Sequence, residues 1–567
     1  MSEVKKETAA ERVERLKRAK NAWECMDEIR SFAKNGFDSI PPEWIGTYFR
    51  TWGVYTQGDG GGALSGPGGQ GKAVPYFMVR IRIPNGILTA AQTRVIAELT
   101  DKYARGVADI TVRQNIQLHW VTIESIPEIF DALHQHGLTT TGACGDVARN
   151  VVGCPVAGVD KDEIVDASPL VRAATEFFVG NPEFYNLPRK FKIAITGCRV
   201  WCSYPEINDV GVTALTRKRH HGTEVGFSVR VGGGLSTEPH LAKRLNAFVQ
   251  WNQVLPVLKG IAEIFRDSEV LRKSREAARL KYLFLRHGWT ADSFLDELER
   301  RIGFKLDAAE PEDAPVDVVR DHVGLHEQKQ YGRYYVGASV LRGRLSASQL
   351  HTAARIAEEF AAGEVRTTAM QNLLIPNVEK EYVGAVADRL ALAGLPPQGS
   401  VFQRGAIACT GTEFCKLAIT ETKGFARWLT DELDERLPGF DQQLKLHITG
   451  CPNSCGQHWI ADIGLEGKKL KVNGKLTDAY YFCVGGGVGK HQAIARPVGY
   501  RCLASDVPDA IERLLQQYET FKFPGENLRE FFTRHEAEDI RGWLAGEFVA
   551  PVERDLPTGR VPHGVEG

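Results

Sequence analysis

The chain has 567 residues, 43% of them hydrophobic and 25% charged, which is the composition of a globular protein with several domains and excludes a disordered or collagen-like chain. Seventy basic residues stand against 71 acidic ones, a net charge of -1, so any basic site must be local and no bulk attraction to nucleic acid or membrane follows. No apolar run is long enough to cross a membrane, and the charged stretch Met1–Lys20 lacks the apolar centre of a signal peptide, so a cytoplasmic location is expected.

Residues 1–50 read as a helical leader. From 58 to 72, eight of fifteen residues are glycine, too few side chains to pack, so a surface loop is expected there. Tyr76 to Val121 reads strand, helix, strand, with Thr89 as the helix N-cap. In Phe77–Ile83 the alternation puts Arg80 and Arg82 on the face opposite Phe77, Val79, Ile81 and Ile83. Read as one strand, Ile110–Val121 places Thr111, Arg113, Asn115, Gln117 and His119 opposite its apolar face, and Arg189–Ile195 does the same for Lys190 and Lys192. Arg149, followed by Asn150, is a further candidate. A solvated sheet face explains any one of these strands. Three in one half of the chain point instead to a cleft for a polyanion, because arginine and lysine are costly to bury unpaired.

The chain repeats itself. Ile195-Thr196-Gly197-Cys198 recurs as Ile448-Thr449-Gly450-Cys451, each with a second cysteine four positions on, at Cys202 and Cys455. Glycines 232–234 and 485–487 follow at the same offset of 253 residues. Upstream, Tyr334–Val378 answers Tyr76–Val121, with Ser346 in the place of Thr89 and Gln371-Asn372 in that of Gln114-Asn115. A duplicated α+β unit is expected, its halves separated by a charged, proline-containing linker.

Eleven cysteines, an odd number, argue against a disulfide framework. In the second half, Cys409 and Cys415 form C-x5-C, and Cys451 and Cys455 form C-x3-C 36 residues later. Four thiolates in two close pairs suit an iron-sulfur cluster, with Gly411, Gly450 and Gly456 leaving room for close approach. A structural zinc fits the C-x5-C spacing poorly, and plain buried thiols are the other reading. The first half keeps Cys198 and Cys202 but offers only Cys144 and Cys154 as partners.

Taken together, Cys409-Thr-Gly-Thr-Glu-Phe-Cys415, Thr-Gly-Cys451-Pro-Asn-Ser-Cys455-Gly-Gln, Arg113-Gln-Asn, Arg149-Asn and Leu-Pro-Arg-Lys190-Phe-Lys192 resemble the sirohaem-dependent nitrite and sulfite reductases, over nearly the whole chain. The resemblance implies a duplicated α+β architecture of two ferredoxin-like half-domains and two sirohaem/Fe-S domains around one cofactor site. It divides the chain into a leader and loop (1–75), first half-domain (76–140), first sirohaem domain (141–306), linker (307–330), second half-domain (331–395), cluster domain (396–550) and a loosely ordered tail (551–567). It implies a [4Fe-4S] cluster held by Cys409, Cys415, Cys451 and Cys455, with Cys455 also bridging to the sirohaem iron. It places Arg113, Gln117, His119 and Asn150 near the sirohaem carboxylates. It leaves Gly233 and Gly486 either to offer backbone N–H groups to the cofactors or simply to make tight turns. Arg80, Arg149, Lys190 and Lys192 would surround the anion on the iron. The first-half cysteines are expected to hold no second cluster, and Cys144 is read as a packed thiol near the cleft and Tyr55.

The expected reaction is the assimilatory six-electron reduction of nitrite to ammonia. Sulfite reduction is the alternative, favoured by Lys192, where plant-type nitrite reductases tend to have a neutral amide. No Gly-x-Gly-x-x-Gly opens a nucleotide-binding unit, so electrons come from outside, from reduced ferredoxin or else a flavoprotein subunit. A monomer is expected, with neither a nucleic-acid nor a membrane partner. The contrasting reading is a non-catalytic iron-sulfur or zinc scaffold that binds nucleic acid.

Overall fold

The structure, a computed structural model, describes residues 7–66, 71–220, 222–311 and 320–547. The expected tail, part of the glycine-rich loop and the middle of the linker lie outside the described residues. The chain divides into two compact units, the first made of Met1–Gly399 with Glu413–Lys416 and Val488–His491, the second of the remainder.

Within the first unit the two half-domains exchange strands. One sheet runs in the order Val54–Gly58, Ala73–Ile81, Ile116–Val121, Val107–Ile110 and Arg344–Ser346; the other runs Gly324–Glu327, Arg333–Ala338, Leu373–Glu379, Glu364–Thr367 and Ile87–Thr89. Each therefore takes its last strand from the opposite half: Arg344–Ser346 pairs with Val107–Ile110, and Ile87–Thr89 with Glu364–Thr367. Each donated strand leads directly into a helix, Ala90–Tyr103 or Ala347–Phe360, capped by the expected Thr89 and Ser346 through reciprocal bonds with Gln92 and Gln349. One apolar core joins the halves, with Val95, Ile96 and Leu99 from one helix and Leu350, Ala354 and Ala357 from the other.

Two of the strands read from the sequence are interrupted. Ile110–Val121 is two strands, Val107–Ile110 and Ile116–Val121, joined by a turn in which Gln114 has φ +59° and the Thr111 hydroxyl accepts the N–H groups of Arg113 and Asn115. The threonine closes the turn locally, so Arg113 and Asn115 leave the sheet face on which alternation had put them. The strand at Arg189–Ile195 begins only at Ile193, because the Lys192 N–H is given to the Asp209 carboxylate at 2.8 Å rather than to a neighbouring strand.

The two remaining five-stranded sheets are built alike. In the first unit, Val152–Gly153, Ile193–Thr196 and Val210–Arg219 run parallel, followed by antiparallel Gly222–Val231 and Lys243–Val249. In the second, Ala406–Ala408, Leu446–Thr449 and Ile463–Val472 run parallel, followed by antiparallel Lys475–Val484 and Arg496–Leu503. In each, the C-x3-C loop leaves the end of the second strand, and two helices cover an apolar core: Ser168–Phe178 and Val254–Asp267, or Lys423–Arg436 and Val507–Phe521. The duplication extends to backbone geometry. Trp201 and Tyr204 have φ +58° and +52°, and their counterparts Ser454 and Gln457 have +55° and +62°.

Candidate active site: a cationic cleft and a four-cysteine motif

In the first unit, cations gather from sequence positions far apart. The Arg80 guanidinium donates twice to the Gln117 side-chain oxygen, at 3.1 and 2.7 Å, and once to the Cys144 sulfur at 2.9 Å. Cross-strand pairing of Arg80 with Gln117 sets this contact. Arg113, delivered by its turn, donates to Asn208 at 2.6 Å and to the Asn150 and Ile193 carbonyls at 2.6 and 3.2 Å. Asn150 donates to the Ile83 and Arg113 carbonyls at 2.7 and 3.0 Å. Arg149 is held by the Gly145 carbonyl at 2.9 Å and lies close enough to Arg82 and Arg113 to disfavour their charge. Burial pushes the Arg113 guanidinium down to about 9, with Arg149 the next cause, which still leaves it protonated near neutral pH.

Lys192 is the most perturbed member. Burial, then Lys190, Arg113 and Arg279, hold its ammonium well below the ordinary lysine range, against the pull of Asp209. Asp209 is fully buried and already receives two bonds from Arg279, at 3.1 and 2.8 Å. Arg279 is a member the sequence did not suggest, because it lies in an irregular segment with no alternation to mark it. Lys416, directly after Cys415, is a further cation of this unit: its ammonium donates to Thr56 at 2.7 Å and is lowered by burial and by Arg50. Arg82, by contrast, is buried and spends its donors on the Ala148 and Arg149 carbonyls at 3.1 and 2.9 Å, so it braces the cleft floor.

His119 is fully buried, its Nε2 3.1 Å from Asp109 and its ring stacked on Phe414 with centroids 3.9 Å apart. Asp109 also receives Arg344 at 2.9 and 3.2 Å, and Arg344 reaches Glu413 with its other donors at 3.1 and 2.9 Å. Together they fix the short segment that carries Cys415. Gly58 donates its N–H to the Phe414 carbonyl at 2.9 Å and Gly71 to that of Lys416 at 2.8 Å.

In the second unit, the Cys409 sulfur accepts the Gly450 N–H at 3.2 Å, and burial followed by the nearby Cys455 raises its thiol above the ordinary range. Asn453 donates to the Cys451 sulfur at 3.5 Å, and Cys455 is exposed. A side chain at Gly450 would come within 2.9 Å of the Thr420 carbonyl, and one at Gly456 would collide with that of Ile448, so both glycines let the ligand loop lie directly on backbone.

The glycines after each sheet are settled by their neighbours. The Gly486 N–H donates to the Ala461 carbonyl at 2.9 Å, so this amide is engaged by a distant segment of the same domain. A Cβ at Gly233 would meet the Glu206 carbonyl and lie 2.5 Å from that of Asn208, so close approach excludes a side chain there too. Among the first-half cysteines, Cys144 stands apart beside Arg80, whereas Cys154, Cys198 and Cys202 converge.

The cleft can hold a polyanion. Lys190, Lys192, Arg113 and Arg279 gather about the fully buried Asp209, with Arg149 near Arg113, and the Arg113 Nε and Asn150 Oδ1 are buried without a hydrogen-bond partner. A carboxylate-rich macrocycle suits such a gathering of cations, and the Cys409, Cys451 and Cys455 thiols of the second unit are of the donor type an iron-sulfur cluster takes.

Two families match this chain. The nitrite and sulphite reductase 4Fe-4S domain matches residues 144–306 and 402–550, and the nitrite/sulfite reductase ferredoxin-like half domain matches residues 70–136 and 326–393. The chain is 36% identical to the assimilatory ferredoxin-dependent nitrite reductase of Haloferax mediterranei over 94% of its own length and 92% of that protein's. It is 35% identical to a ferredoxin sulfite reductase of Mycolicibacterium paratuberculosis over 93% and 95% of the two chains. The structure of the Mycobacterium tuberculosis NirA protein superposes with a TM-score of 0.88 at 33% identity, covering 93% of this chain and 97% of that one. Among the described residues no helix is long and apolar enough to cross a membrane.

Proposed function

Because the chain belongs to the nitrite and sulfite reductase family, whose members carry sirohaem and a [4Fe-4S] cluster, we propose that it reduces nitrite to ammonia with electrons from reduced ferredoxin. When bound, the coupled cofactors supply electrons and an iron on which the anion is held. Cys409, Cys415, Cys451 and Cys455 would hold the cluster. Arg113, Gln117, His119 and Asn150 line or brace the seat of the sirohaem carboxylates, and Gly233 gives the backbone its close approach.

The observation that carries this reading is the crowding of Lys190, Lys192, Arg113 and Arg279 around the buried Asp209 carboxylate. Such a cluster repels itself when empty and is relieved by an anion, so it favours nitrite over the ammonium product. Arg80, oriented by Gln117 and Cys144, and Arg149, held by Gly145, clamp the anion's oxygens. A guanidinium does not release its proton readily. Proton delivery falls to Lys190 and Lys192, the second of which is already biased toward giving its proton up.

The deciding assay compares kcat/KM for nitrite and sulfite with reduced ferredoxin, then with a reduced viologen dye. Nitrite is expected to be preferred and ferredoxin to support turnover; a higher value for sulfite would replace nitrite as substrate. Lys192 supports that second reading. Lys190→Ala and Arg80→Ala should each lower turnover about a hundredfold, the scale of losing one preorganised donor, while the haem spectrum is kept.

A further inference from the structure

Three cysteines of the first copy converge where their spacing along the chain shows no ligand pattern. The sulfurs of Cys154, Cys198 and Cys202 all lie within 4.8 Å of one another, and all three residues are buried. They come from two loops, Cys154 directly after Val152–Gly153 and the other two from the C-x3-C loop after Ile193–Thr196. A fourth donor arrives from the start of the second half. His322, 4% exposed, points Nε2 at the Cys202 sulfur at 3.2 Å. Its other ring nitrogen, Nδ1, lies 3.5 Å from the Tyr335 hydroxyl, so both edges of the buried ring face polar groups. The Thr196 hydroxyl lies 3.2 Å from the Cys198 sulfur, placed to donate to a thiolate.

We propose that Cys154, Cys198, Cys202 and His322 bind a structural zinc ion. Zinc–sulfur bonds of about 2.3 Å and a zinc–nitrogen bond of about 2.0 Å in a tetrahedron put sulfurs roughly 3.8 Å apart and sulfur and nitrogen roughly 3.5 Å apart. The three sulfurs, all within 4.8 Å of one another, are compatible with those separations, and the His322 Nε2 comes to 3.2 Å from one of them, Cys202. A four-iron cluster fits less well, because each of its cysteines bonds a different iron and the set is spread by the width of the cube. Packed thiols alone leave unexplained why a buried imidazole, on a backbone with φ +63°, presents a nitrogen to them rather than an apolar side chain. Val156, Ala157, Val159 and Leu374 pack around the three cysteines, so an ion held there would be shielded from solvent, as a structural zinc is.

The ion staples the C-x3-C loop to the entry of the second half-domain. That loop runs on through Tyr204, whose carbonyl accepts from Asn208 at 2.7 Å, to the Asn208 side chain that receives Arg113. The staple therefore fixes a cation of the cleft at a distance, in a copy of the fold whose sibling uses the equivalent cysteines otherwise.

The test is elemental analysis of the holoenzyme purified from zinc-replete cells, with X-ray absorption at the zinc edge. About one zinc per chain, in a shell of three sulfurs and one nitrogen, is expected alongside the cofactor iron. Cys198→Ala and His322→Ala should lower bound zinc to background. Should they fail to fold, zinc released from wild-type holoenzyme by a mercurial, read with a chromogenic chelator, gives the same count. Substoichiometric zinc in the wild type, a shell of sulfur alone, or a disulfide among the three cysteines in the unreduced chain would each overturn the assignment.

Discussion

Replacing Asp109 by asparagine tests how the cluster segment is held. The Asp109 carboxylate is 2% exposed and receives two charge-assisted bonds from Arg344 and one contact from His119. The amide would keep the shape but lose the charge, and breaking a buried pair by removing one partner costs about 3–5 kcal/mol. Arg344 retains Glu413, so the lower end of that range is expected. Unfolding entropy of about 2 cal/mol/K per residue over a unit of roughly 400 residues turns this loss into a fall in Tm of roughly 4 °C. Phe414 stacks on His119 and Cys415 follows it, so the same change should lower iron per chain. Calorimetry and iron analysis on Asp109→Asn, beside Glu413→Gln as a control, give the answer. Glu413 is 34% exposed in its side chain, and losing its pair should cost about 1 kcal/mol or less. An Asp109→Asn protein with unchanged Tm and full iron would show that the network does not position the segment.

Two further outcomes follow from the cleft. Because burial and neighbouring cations depress Lys192, it loses its proton at a lower pH than an ordinary lysine, and a bound anion favours the charged form. Nitrite KM should therefore rise as pH rises through that depressed pKa, and Lys192→Met should flatten the profile; an unchanged profile would remove Lys192 from anion binding. Gly233→Ala forces a Cβ against the Glu206 and Asn208 carbonyls, and such overpacking costs about 1–3 kcal/mol. Its Tm and sirohaem absorbance should both fall, whereas a variant with wild-type absorbance would confine this glycine to a structural role.

The duplication was legible because it is written in local chemistry. Thr89 and Ser346 cap equivalent helices, and the two C-x3-C loops leave equivalent strands, since capping and turn formation depend on a few neighbouring residues. Arg80 and Gln117 were correctly placed on the polar faces of their strands by simple alternation. Alternation failed for Arg113 because Thr111 satisfies the backbone locally and turns the chain, and for Lys192 because a side chain, Asp209, takes its N–H.

By itself the sequence determined the family, the two-fold repeat, the cluster cysteines as a motif and the cationic residue types, all of which rest on short-range spacing. Tertiary structure alone decided which distant groups meet. The exchange of Arg344–Ser346 and Ile87–Thr89 between half-domains, the bond from Arg344 to Asp109 across 235 residues, and the approach of His322 to Cys202 across 120 leave no local trace. Such contacts arise from how sheets pair and cores close, and no periodicity along the chain encodes a partner that folding alone brings near.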